Sequence, residues 1–343
     1  MAGDAITWGI ISSANIAQKA LIPAIDAAGN AELAMLGTRH GDRVAAVREQ
    51  YEFALAPSYD AVLASDVDAV YIPLPNGMHA DWAIRALEAG KHVLCEKPLA
   101  ISPEEVADIV AAAERNARTL LVGMNNRYRD DSILLKNFLE DGALGEVVYA
   151  RAGWFKRRDR IRRDHWHYRL ATSGGGVFMD LGIQILDLAL WMCSYPEPER
   201  VSATFYHHFP EIEVEDSAIV TLMCAGGLSI ALETSWHFIR DSEHIALGLF
   251  GSGGSGFLSP IRIYQHLHGN LINTTPKGQR RVGNLYMESY EREIAFFAEV
   301  VAGREEAPPL AEHLALSRAV AAIRRSADEG REVVLSAPAR AAP

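Results

Sequence analysis

The stretch that decides the fold is KHVLCEKPL, residues 91–99. Its first five residues form a short apolar run typical of a buried β-strand, and a segment with helical spacing precedes them at 77–89. Lys97 therefore lies just past the carboxyl end of a strand, which is where parallel sheets bind their ligands. Partial burial there disfavours the charged form of a lysine and suits it to general acid/base work. A solvated loop lysine is also compatible with these nine residues.

Apolar runs and helical segments alternate along the first 125 residues. The apolar runs fall at 6–11, 32–37, 68–73, 91–95 and 119–122, and helical spacing separates them at 15–28, 41–53, 77–89 and 102–115. Repeated βαβ units of this kind predict an α/β domain with a doubly wound parallel sheet over residues 1–125.

The pattern changes after residue 126. Helical segments near 129–141 and 177–193 are followed by long alternating runs at 199–208, 217–225, 228–238 and 244–250, and then by helical periodicity at 286–302 and 311–328. Long alternating runs suit antiparallel strands. We therefore expect a second, α+β domain over residues 126–335, with a large, mostly antiparallel open sheet, and a frayed tail at 336–343.

Composition and charge exclude several classes of protein. The 343 residues are 49% apolar and 22% charged, which is ordinary for a globular protein of two domains. A net charge of −11 argues against a nucleic-acid partner. No apolar run approaches the roughly 18 residues of a membrane span, and the first four residues lack a signal-like core, so we expect no membrane partner and a cytoplasmic location. Three cysteines without a CxxC pair predict buried thiols and no metal site. The basic run at 156–163 is compatible with a solvated loop or with recognition of an anionic substrate.

The turn after the first apolar run occupies the place where a dinucleotide-binding fold carries G-x-G-x-x-G. Its residues here are Ser12, Ser13, Ala14, Asn15, Ile16 and Ala17. Small side chains still let the backbone approach a pyrophosphate, and the N-terminus of the following helix favours its negative charge. We therefore expect residues 12–16 to bind a dinucleotide cofactor, although a tight strand-to-helix turn without a ligand explains the same residues.

The end of the second apolar run bears on the choice between NAD and NADP. The acid that would bind the ribose hydroxyls of NAD is missing, and Thr38 and Arg39 stand there instead. A guanidinium and a hydroxyl can bind a 2′-phosphate through charge-assisted hydrogen bonds. We predict a preference for NADP, while Asp42, a few residues on, leaves the use of NAD open.

A second group of polar residues follows three consecutive glycines at 174–176. Asp180, Gln184 and Asp187 recur at spacings of four and three and share one face of a predicted helix. Polar side chains in an otherwise apolar helix are costly to bury without partners. A cleft that faces a substrate would supply those partners, and so would helix capping together with hydrogen bonds to the backbone.

Taken together, these motifs resemble those of the Gfo/Idh/MocA family, which is named after glucose-fructose oxidoreductase and inositol dehydrogenase. The resemblance covers nearly the whole chain and rests on residues 8–10 with 15–17, 68–76 with His79, 90–98, 174–187, and 326–327 with 330–333. It implies an N-terminal Rossmann domain, a C-terminal domain with an open sheet, and hydride transfer between a nicotinamide cofactor and a carbon of a sugar or cyclitol. It also implies a cis peptide between Lys97 and Pro98.

The resemblance also implies roles for individual residues. Lys97 binds the reacting hydroxyl or carbonyl group and assists proton transfer, Asp180 orients the sugar, and Gln184 completes the implied catalytic group. The implied cofactor contacts, beside residues 12–16, are Thr38, Arg39, Leu74, Pro75, Asn76, His79, Glu96, Lys97 and Pro98. The implied substrate contacts are Lys97, Asp180, Gln184, Trp166 and His167.

Gln184 departs from the family pattern, since members with dehydrogenase activity commonly carry histidine there. A glutamine amide donates and accepts hydrogen bonds but exchanges no proton usefully at neutral pH. Lys97 must then carry the proton alone, or with help from His165, His167 or Tyr168 in the preceding loop. Loop histidines beside a tryptophan are more often packing residues, and this pair lacks the acidic or thiolate companion of a zinc site.

Three functions are compatible with these residues. The first is NADP-preferring hydride transfer to or from a pyranose, cyclitol or related diol. The second is reduction of a ketone on a modified or nucleotide-linked sugar, for which no histidine is needed. The third is a cofactor-binding sensor or partner subunit without dehydrogenase chemistry, which Gln184 favours and the intact motif Glu96-Lys97-Pro98 disfavours. By analogy with other large open sheets, we expect a homodimer or homotetramer.

Overall fold

The computed structural model describes residues 5–158, 161, 163–237, 242–277 and 284–335. The chain divides into two compact units, of which the first contains Met1–Arg129 and Gly283–His313 and the second contains Asp130–Val282 and Leu314–Pro343. The predicted division after residue 125 lies close to the first of these boundaries, but the prediction assigned 283–313 to the second domain. The tail at 336–343 lies outside the described residues.

Six parallel strands form the sheet of the first unit. They are β1 (Ile6–Ile10), β2 (Ala31–Gly37), β3 (Ala54–Ala56), β4 (Ala69–Ile72), β5 (His92–Glu96) and β6 (Leu120–Gly123). Their order across the sheet is β3-β2-β1-β4-β5-β6, which confirms the predicted doubly wound arrangement. The sequence analysis missed β3 because its three residues are largely exposed and show no apolar alternation.

The helices of the described residues mostly follow the predicted segments. They are α1 (Ile22–Ala27), α2 (Ala45–Arg48), α3 (Tyr59–Leu63), α4 (His79–Glu88), α5 (Pro103–Asn116), α6 (Asp130–Glu140), α7 (Leu170–Ser173), α8 (Ile183–Met192), α9 (Leu285–Val301) and α10 (Leu310–Glu329). π-helical turns at Ala17–Leu21 and Phe178–Gly182 lead into α1 and α8, and a 3₁₀ turn at Asn76–Met78 leads into α4.

The position of α9 explains why 283–313 belongs to the first unit. Ile294 and Phe297 of α9 are fully buried in the hydrophobic core of that unit. The ring of Phe297 lies 4.7 Å, centroid to centroid, from the ring of Trp8 on β1. Contacts between residues this far apart in sequence leave no local signal, so the sequence pattern alone assigned α9 to the domain that precedes it.

A nine-stranded sheet forms the second unit. Its strands are β7 (Val147–Phe155), β8 (Pro198–Tyr206), β9 (Ser217–Cys224), β10 (Ser229–Ser235), β11 (His244–Gly251), β12 (Gly254–Leu258), β13 (Arg262–Leu267), β14 (Asn270–Asn273) and β15 (Val333–Val334). The order is β14-β13-β12-β11-β7-β10-β9-β8-β15. Among the described strands only β7 and β10 pair in parallel, which confirms a mostly antiparallel sheet. The prediction missed β12 because the glycines at 251, 253, 254 and 256 interrupt the apolar alternation. It missed β13 and β14 because most of their residues are exposed or partly exposed.

One segment among the described residues, Leu170–Met192, is long and apolar enough to cross a membrane by length and composition alone. This corrects the expectation that no apolar run approaches that length. In the structure, 89% of its most apolar window is buried inside the protein, as in the core helix of a folded domain. The segment is therefore weak evidence for a membrane span.

Candidate active site

Lys97 lies directly after β5, at the carboxyl end of the parallel sheet, and its side chain is partly exposed. The peptide between Lys97 and Pro98 is cis, as the family resemblance implied. The position agrees with the sequence prediction of a lysine at the ligand-binding edge of the sheet.

Glu96 holds the main chain of this turn from one side. Its carboxyl group is buried and accepts a hydrogen bond from the Tyr71 hydroxyl at 2.7 Å and one from the backbone N–H of Lys97 at 3.2 Å. Gly123 leaves room for it, since a Cβ at that position would lie 3.2 Å from Oε1 of Glu96. These contacts link the Glu96 carboxylate to the position of Lys97, and the predicted contact of Glu96 with a cofactor stays a prediction.

His79 holds the same turn from the other side. Its fully buried ring has Nδ1 2.7 Å from the carbonyl oxygen of Pro98 and Nε2 2.8 Å from the carbonyl oxygen of Leu74. Burial lowers the pKa of the imidazole and outweighs the opposite effect of the two carbonyl groups. The ring has no exposed surface, and the predicted contact of His79 with a cofactor stays a prediction.

A second buried acid, Glu293 of α9, belongs to the same region of the first unit. Glu293 is 1% exposed, and neither of its carboxyl oxygens has a hydrogen-bond partner among the described residues. Burial, and then the charge of Glu96, raise the pKa of Glu293 well above its usual range, so its neutral form is favoured. Sequence reasoning missed Glu293, although its spacing from the apolar face of α9, four residues before Phe297, was an available signal.

The turn between β1 and α1 has the chemistry that a dinucleotide needs. Ser12, Ser13 and Ala14 are small and partly exposed, and the Ser12 hydroxyl accepts the backbone N–H of Ala14 at 3.1 Å. At the end of the adjacent β2, the Thr38 hydroxyl lies 3.3 Å from that of Ser13. Arg39 is exposed and has no hydrogen bond or ion pair with another described residue. Small residues at a helix start fit the close approach of a dinucleotide pyrophosphate, and the predicted role of Arg39 in cofactor choice stays a prediction.

Asp180 is the centre of the candidate site in the second unit. Its Oδ2 accepts a hydrogen bond from Nη2 of Arg158 at 2.7 Å and one from the indole N–H of Trp236 at 3.2 Å. Burial opposes the charge on Arg158, but the adjacent carboxylate outweighs this effect and raises the pKa of the guanidinium. The same guanidinium lies 4.5 Å from the ring centroid of Trp236 and 5.9 Å from that of Tyr168. Sequence reasoning missed Arg158 and Trp236 as partners of Asp180, although Arg158 belongs to the basic run at 156–163.

Gln184 and Asp187 follow Asp180 along the same helical segment. Nε2 of Gln184 donates a hydrogen bond to the main-chain oxygen of Asp180 at 2.8 Å, within the same helical segment. Asp187 is 1% exposed and accepts a hydrogen bond from the Tyr195 hydroxyl at 2.7 Å. The bond from Gln184 to a main-chain oxygen agrees with the alternative of hydrogen bonds to the backbone, whereas the partner of Asp187 is a side chain that the sequence analysis did not foresee.

The glycine run before this helix is required by close packing. A Cβ on Gly176 would lie 1.9 Å from the backbone oxygen of Glu215, and Gly174 has a φ of 72°, in the left-handed region. The buried Glu215 carboxyl group accepts the N–H groups of Gly176 and Phe178 at 2.9 and 3.1 Å. This clamp fixes the start of the π-helical turn from which Asp180 projects.

Trp166 and His167 form an aromatic cluster with His165 in a short 3₁₀ turn of the second unit. The rings of Trp166 and His167 lie 3.8 Å apart, centroid to centroid, and Nδ1 of His167 lies 3.0 Å from Nδ1 of His165. All three side chains are partly exposed. In the part of the chain that the structure describes, no group of three or more His, Cys, Asp or Glu side chains could hold a metal ion.

Two family models match this chain. One, described as an oxidoreductase family with an NAD-binding Rossmann fold, matches residues 6–124, and the other, described as the GFO/IDH/MocA C-terminal domain, matches residues 133–256. The chain belongs to the Gfo/Idh/MocA family. The family resemblance of the sequence motifs and the Rossmann fold of the first unit are thereby confirmed.

Several relatives in this family align with most of the chain. The uncharacterized oxidoreductase ORF334 of Rhizobium meliloti is 37% identical over 202 residues, 58% of this chain and 59% of the relative. The dTDP-3,4-didehydro-2,6-dideoxy-alpha-D-glucose 3-reductase of Streptomyces violaceoruber is 34% identical over 270 residues, 76% of this chain and 77% of the relative. The D-glucoside 3-dehydrogenase of Escherichia coli (strain K12) is 28% identical over 294 residues, 80% of this chain and 81% of the relative.

Solved structures share the fold over nearly the whole chain. A levoglucosan dehydrogenase in complex with NADH and levoglucosan has a TM-score of 0.86 at 20% identity and covers 97% of this chain and 100% of its own. An aldose-aldose oxidoreductase from Caulobacter crescentus, complexed with glycerol, has a TM-score of 0.81 at 25% identity and covers 96% of this chain and 100% of its own.

Proposed function

We propose that this chain is an NAD(P)-dependent oxidoreductase that acts on a sugar, a cyclitol or a related diol or ketone, with Lys97 as the principal acid/base. A bound nicotinamide cofactor would supply or accept the hydride. The observation that carries the proposal is the partly exposed Lys97 at the carboxyl edge of the parallel sheet, on a turn that two buried side chains, Glu96 and His79, hold in place. Lys97 would then give a proton to the substrate oxygen or take one from it.

We propose that residues of the second unit bind the substrate without exchanging protons. The Asp180 carboxylate and the Arg158 guanidinium offer an acceptor and donors beside the rings of Trp236 and Tyr168, which suits the hydroxyl groups and apolar faces of a sugar ring. Gln184 hydrogen-bonds but does not titrate, so proton transfer depends on Lys97. Trp166 and His167 are proposed to contact the substrate from their turn.

A second candidate within the same class is reduction of a ketone on a modified or nucleotide-linked sugar. Two observations support it. Gln184 replaces the histidine that dehydrogenases of the family commonly carry, and a relative 34% identical to this chain is named as a reductase of a dTDP-linked keto sugar. Arg158 and the exposed Lys156 and Arg157 would favour a substrate with phosphate groups.

For the cofactor, we propose NADP in preference to NAD. The support is Arg39, an exposed cation at the end of β2 where NAD-binding folds carry an acid. The proposal also includes NAD as a cofactor, because a structural relative binds NADH and because Asp42 follows Arg39 by three residues.

We also propose a cytoplasmic homodimer or homotetramer. The free thiols of Cys95 and Cys224 are buried and that of Cys193 is partly exposed, which suits a reducing compartment. The second sheet leaves apolar side chains exposed on one face, among them Tyr149, Ile219 and Met223, and a partner copy would cover this face.

Absorbance at the reduced-nicotinamide band, followed with a panel of free sugars, cyclitols and nucleotide-linked keto sugars, tests the proposed function. Turnover with free sugars or cyclitols supports the first candidate, and turnover confined to keto sugars with a nucleotide group supports the second. Cofactor binding without turnover on any member of the panel would favour a sensor or partner subunit, as the sequence analysis allowed.

A further inference from the structure

His79 joins two loops that have different proposed tasks. Its Nδ1 faces the carbonyl oxygen of Pro98, next to Lys97, and its Nε2 faces the carbonyl oxygen of Leu74, in the loop proposed to contact the cofactor. The two N···O distances, 2.7 and 2.8 Å, both lie within hydrogen-bonding range. The ring is fully buried, so it does not exchange either contact for water.

The two contacts cannot both be hydrogen bonds of a neutral ring. A carbonyl oxygen only accepts, and a neutral imidazole has one N–H, on Nδ1 or on Nε2. Burial lowers the pKa of His79, which favours the neutral ring. One tautomer therefore bonds Pro98 and the other bonds Leu74.

We propose that His79 is a positioning residue that acts through its two neutral tautomers: the tautomer with Nδ1–H donates to Pro98 and holds the turn that carries Lys97, and the tautomer with Nε2–H donates to Leu74 and holds the loop of Leu74, Pro75 and Asn76. The catalytic consequence rests on the proposed function of Lys97. The structural consequence, that each tautomer donates to one of the two loops, rests on the two contacts and on the single N–H of a neutral ring.

Two substitutions each retain one part of the ring. The amide nitrogen of asparagine lies near the place of Nδ1, and that of glutamine lies near the place of Nε2. His79→Asn should therefore keep the bond to Pro98 and lose the bond to Leu74, whereas His79→Gln should do the reverse. His79→Leu removes both.

Hydrogen exchange of the full chain, measured by mass spectrometry, gives the exchange rate of each loop separately and needs no substrate. We expect His79→Asn to speed exchange about tenfold in peptides covering 74–78 while 97–101 exchange as in the wild type, and His79→Gln to give the opposite result. Titration with NADPH should show weaker binding for His79→Asn and nearly unchanged binding for His79→Gln. With a substrate from the panel, kcat should fall mainly in His79→Gln.

Several outcomes would overturn the proposal. Equal exchange in both loops for His79→Asn and His79→Gln, whether as in the wild type or as in His79→Leu, would show that the ring acts only as a core residue. Loss of the fold in both amide variants, followed by circular dichroism, would show the same. Turnover retained by Lys97→Ala would reject the proposed acid/base instead, and would leave the exchange and NADPH results as the test of His79.

Discussion

The Arg158 guanidinium and the Asp180 carboxylate form a partly buried ion pair, with Nη2 and Oδ2 2.7 Å apart and side chains 24% and 17% exposed. Breaking it removes the charged donor and leaves the indole N–H of Trp236, 3.2 Å away, as a neutral donor to the same oxygen. We expect Arg158→Gln to lower the free energy of unfolding by about 1–3 kcal/mol in urea titrations. It should also raise KM for the substrate more than it lowers kcat, because Asp180 and Arg158 are proposed to bind and not to titrate.

A matched control exists in the second unit, on the strands β7 and β10. Arg151 and Glu233 form a solvent-exposed pair at 3.7 Å, with side chains 68% and 45% exposed. Arg151→Gln should change the free energy of unfolding by less than about 1 kcal/mol. Equal decreases in the free energy of unfolding for Arg158→Gln and Arg151→Gln would show that the partly buried pair stabilises the fold no more than the exposed pair.

Replacement of Lys97 tests the proposed acid/base directly. Lys97→Ala should lower kcat by a factor of about 10² to 10⁴, the usual cost of losing general acid/base catalysis. Its affinity for NADPH, measured by fluorescence titration, should stay near that of the wild type, since the amine is proposed to act on the substrate oxygen. The exposed Lys19 supplies the control variant, Lys19→Ala, which should match the wild type in both measurements. A kcat above about a tenth of the wild-type value in Lys97→Ala would reject the assignment.

The sequence predicted those parts of the fold whose signals are local. Short apolar runs bounded by helical segments predicted β1, β2, β4, β5 and β6. Alternation of buried and exposed residues, such as that along β9, predicted strands of the second sheet. The edge strand β3 and the glycine-rich β12 lack either signal, because exposure and missing side chains remove the apolar pattern.

The residues of the candidate site also divide into those with a local sequence signal and those without one. Lys97 was predicted because its motif follows a strand within a few residues. The partners of Asp180 were not, since Arg158 and Trp236 lie 22 and 56 residues away along the chain. Nor does a single sequence reveal that the His79 ring is buried between two carbonyl groups. Tertiary contacts of this kind produce no periodic pattern in the local sequence, so the sequence alone does not predict them.

Cofactor choice can be tested at Arg39. Arg39→Ala should weaken NADP binding about ten- to a hundredfold and leave NAD binding nearly unchanged, because only NADP offers a 2′-phosphate to the guanidinium. Arg43, also exposed and four residues on, gives the control Arg43→Ala. If Arg39→Ala weakens the binding of NADP and NAD to the same extent, the Arg39 guanidinium does not bind the 2′-phosphate.

Glu293 makes stability depend on pH with a defined sign. Its native pKa lies well above the usual value of 4.5, so the folded state binds the proton more tightly than the unfolded state. The stability that this gives is fully present below pH 4.5 and is lost, at up to about 1.4 kcal/mol per pH unit, as the pH rises toward the native pKa. Glu293→Gln removes this loss, so its melting temperature should exceed that of the wild type at pH 8 by more than at pH 5.

Glu299, on the same helix, provides a control of opposite sign. Hydrogen bonds from Arg304 and Asn30 lower the pKa of Glu299 to about 2. Its stabilising effect is present above its usual pKa and is lost as the pH falls through about 2. The melting temperature of Glu299→Gln should therefore differ from that of the wild type by the same amount at pH 5 and pH 8. If the melting temperature of Glu293→Gln also differs from that of the wild type by the same amount at pH 5 and pH 8, Glu293 is ionised in the folded state.

Gln184 is where this chain departs from its family, and its amide already donates a hydrogen bond to the main-chain oxygen of Asp180. If Gln184 only positions the substrate, Gln184→Ala should mainly raise KM, because a group that hydrogen-bonds without titrating stabilises substrate and transition state about equally. Gln184→His should speed the chemical step by supplying a proton acceptor. Steady-state kinetics with the active panel substrate would separate the two effects.

The pH profile of kcat supplies the independent check on this lysine-only mechanism. With Lys97 as the sole titrating catalytic group, the profile should show one ionisation, which Lys97→Ala abolishes and Gln184→Ala leaves in place. Gln184→His should add a second limb near pH 6.5, the usual range of an imidazole. A limb near that pH in the wild type, removed by His165→Asn or by His167→Asn, would instead move part of the proton transfer to the turn that contains those two histidines, whose Nδ1 atoms lie 3.0 Å apart.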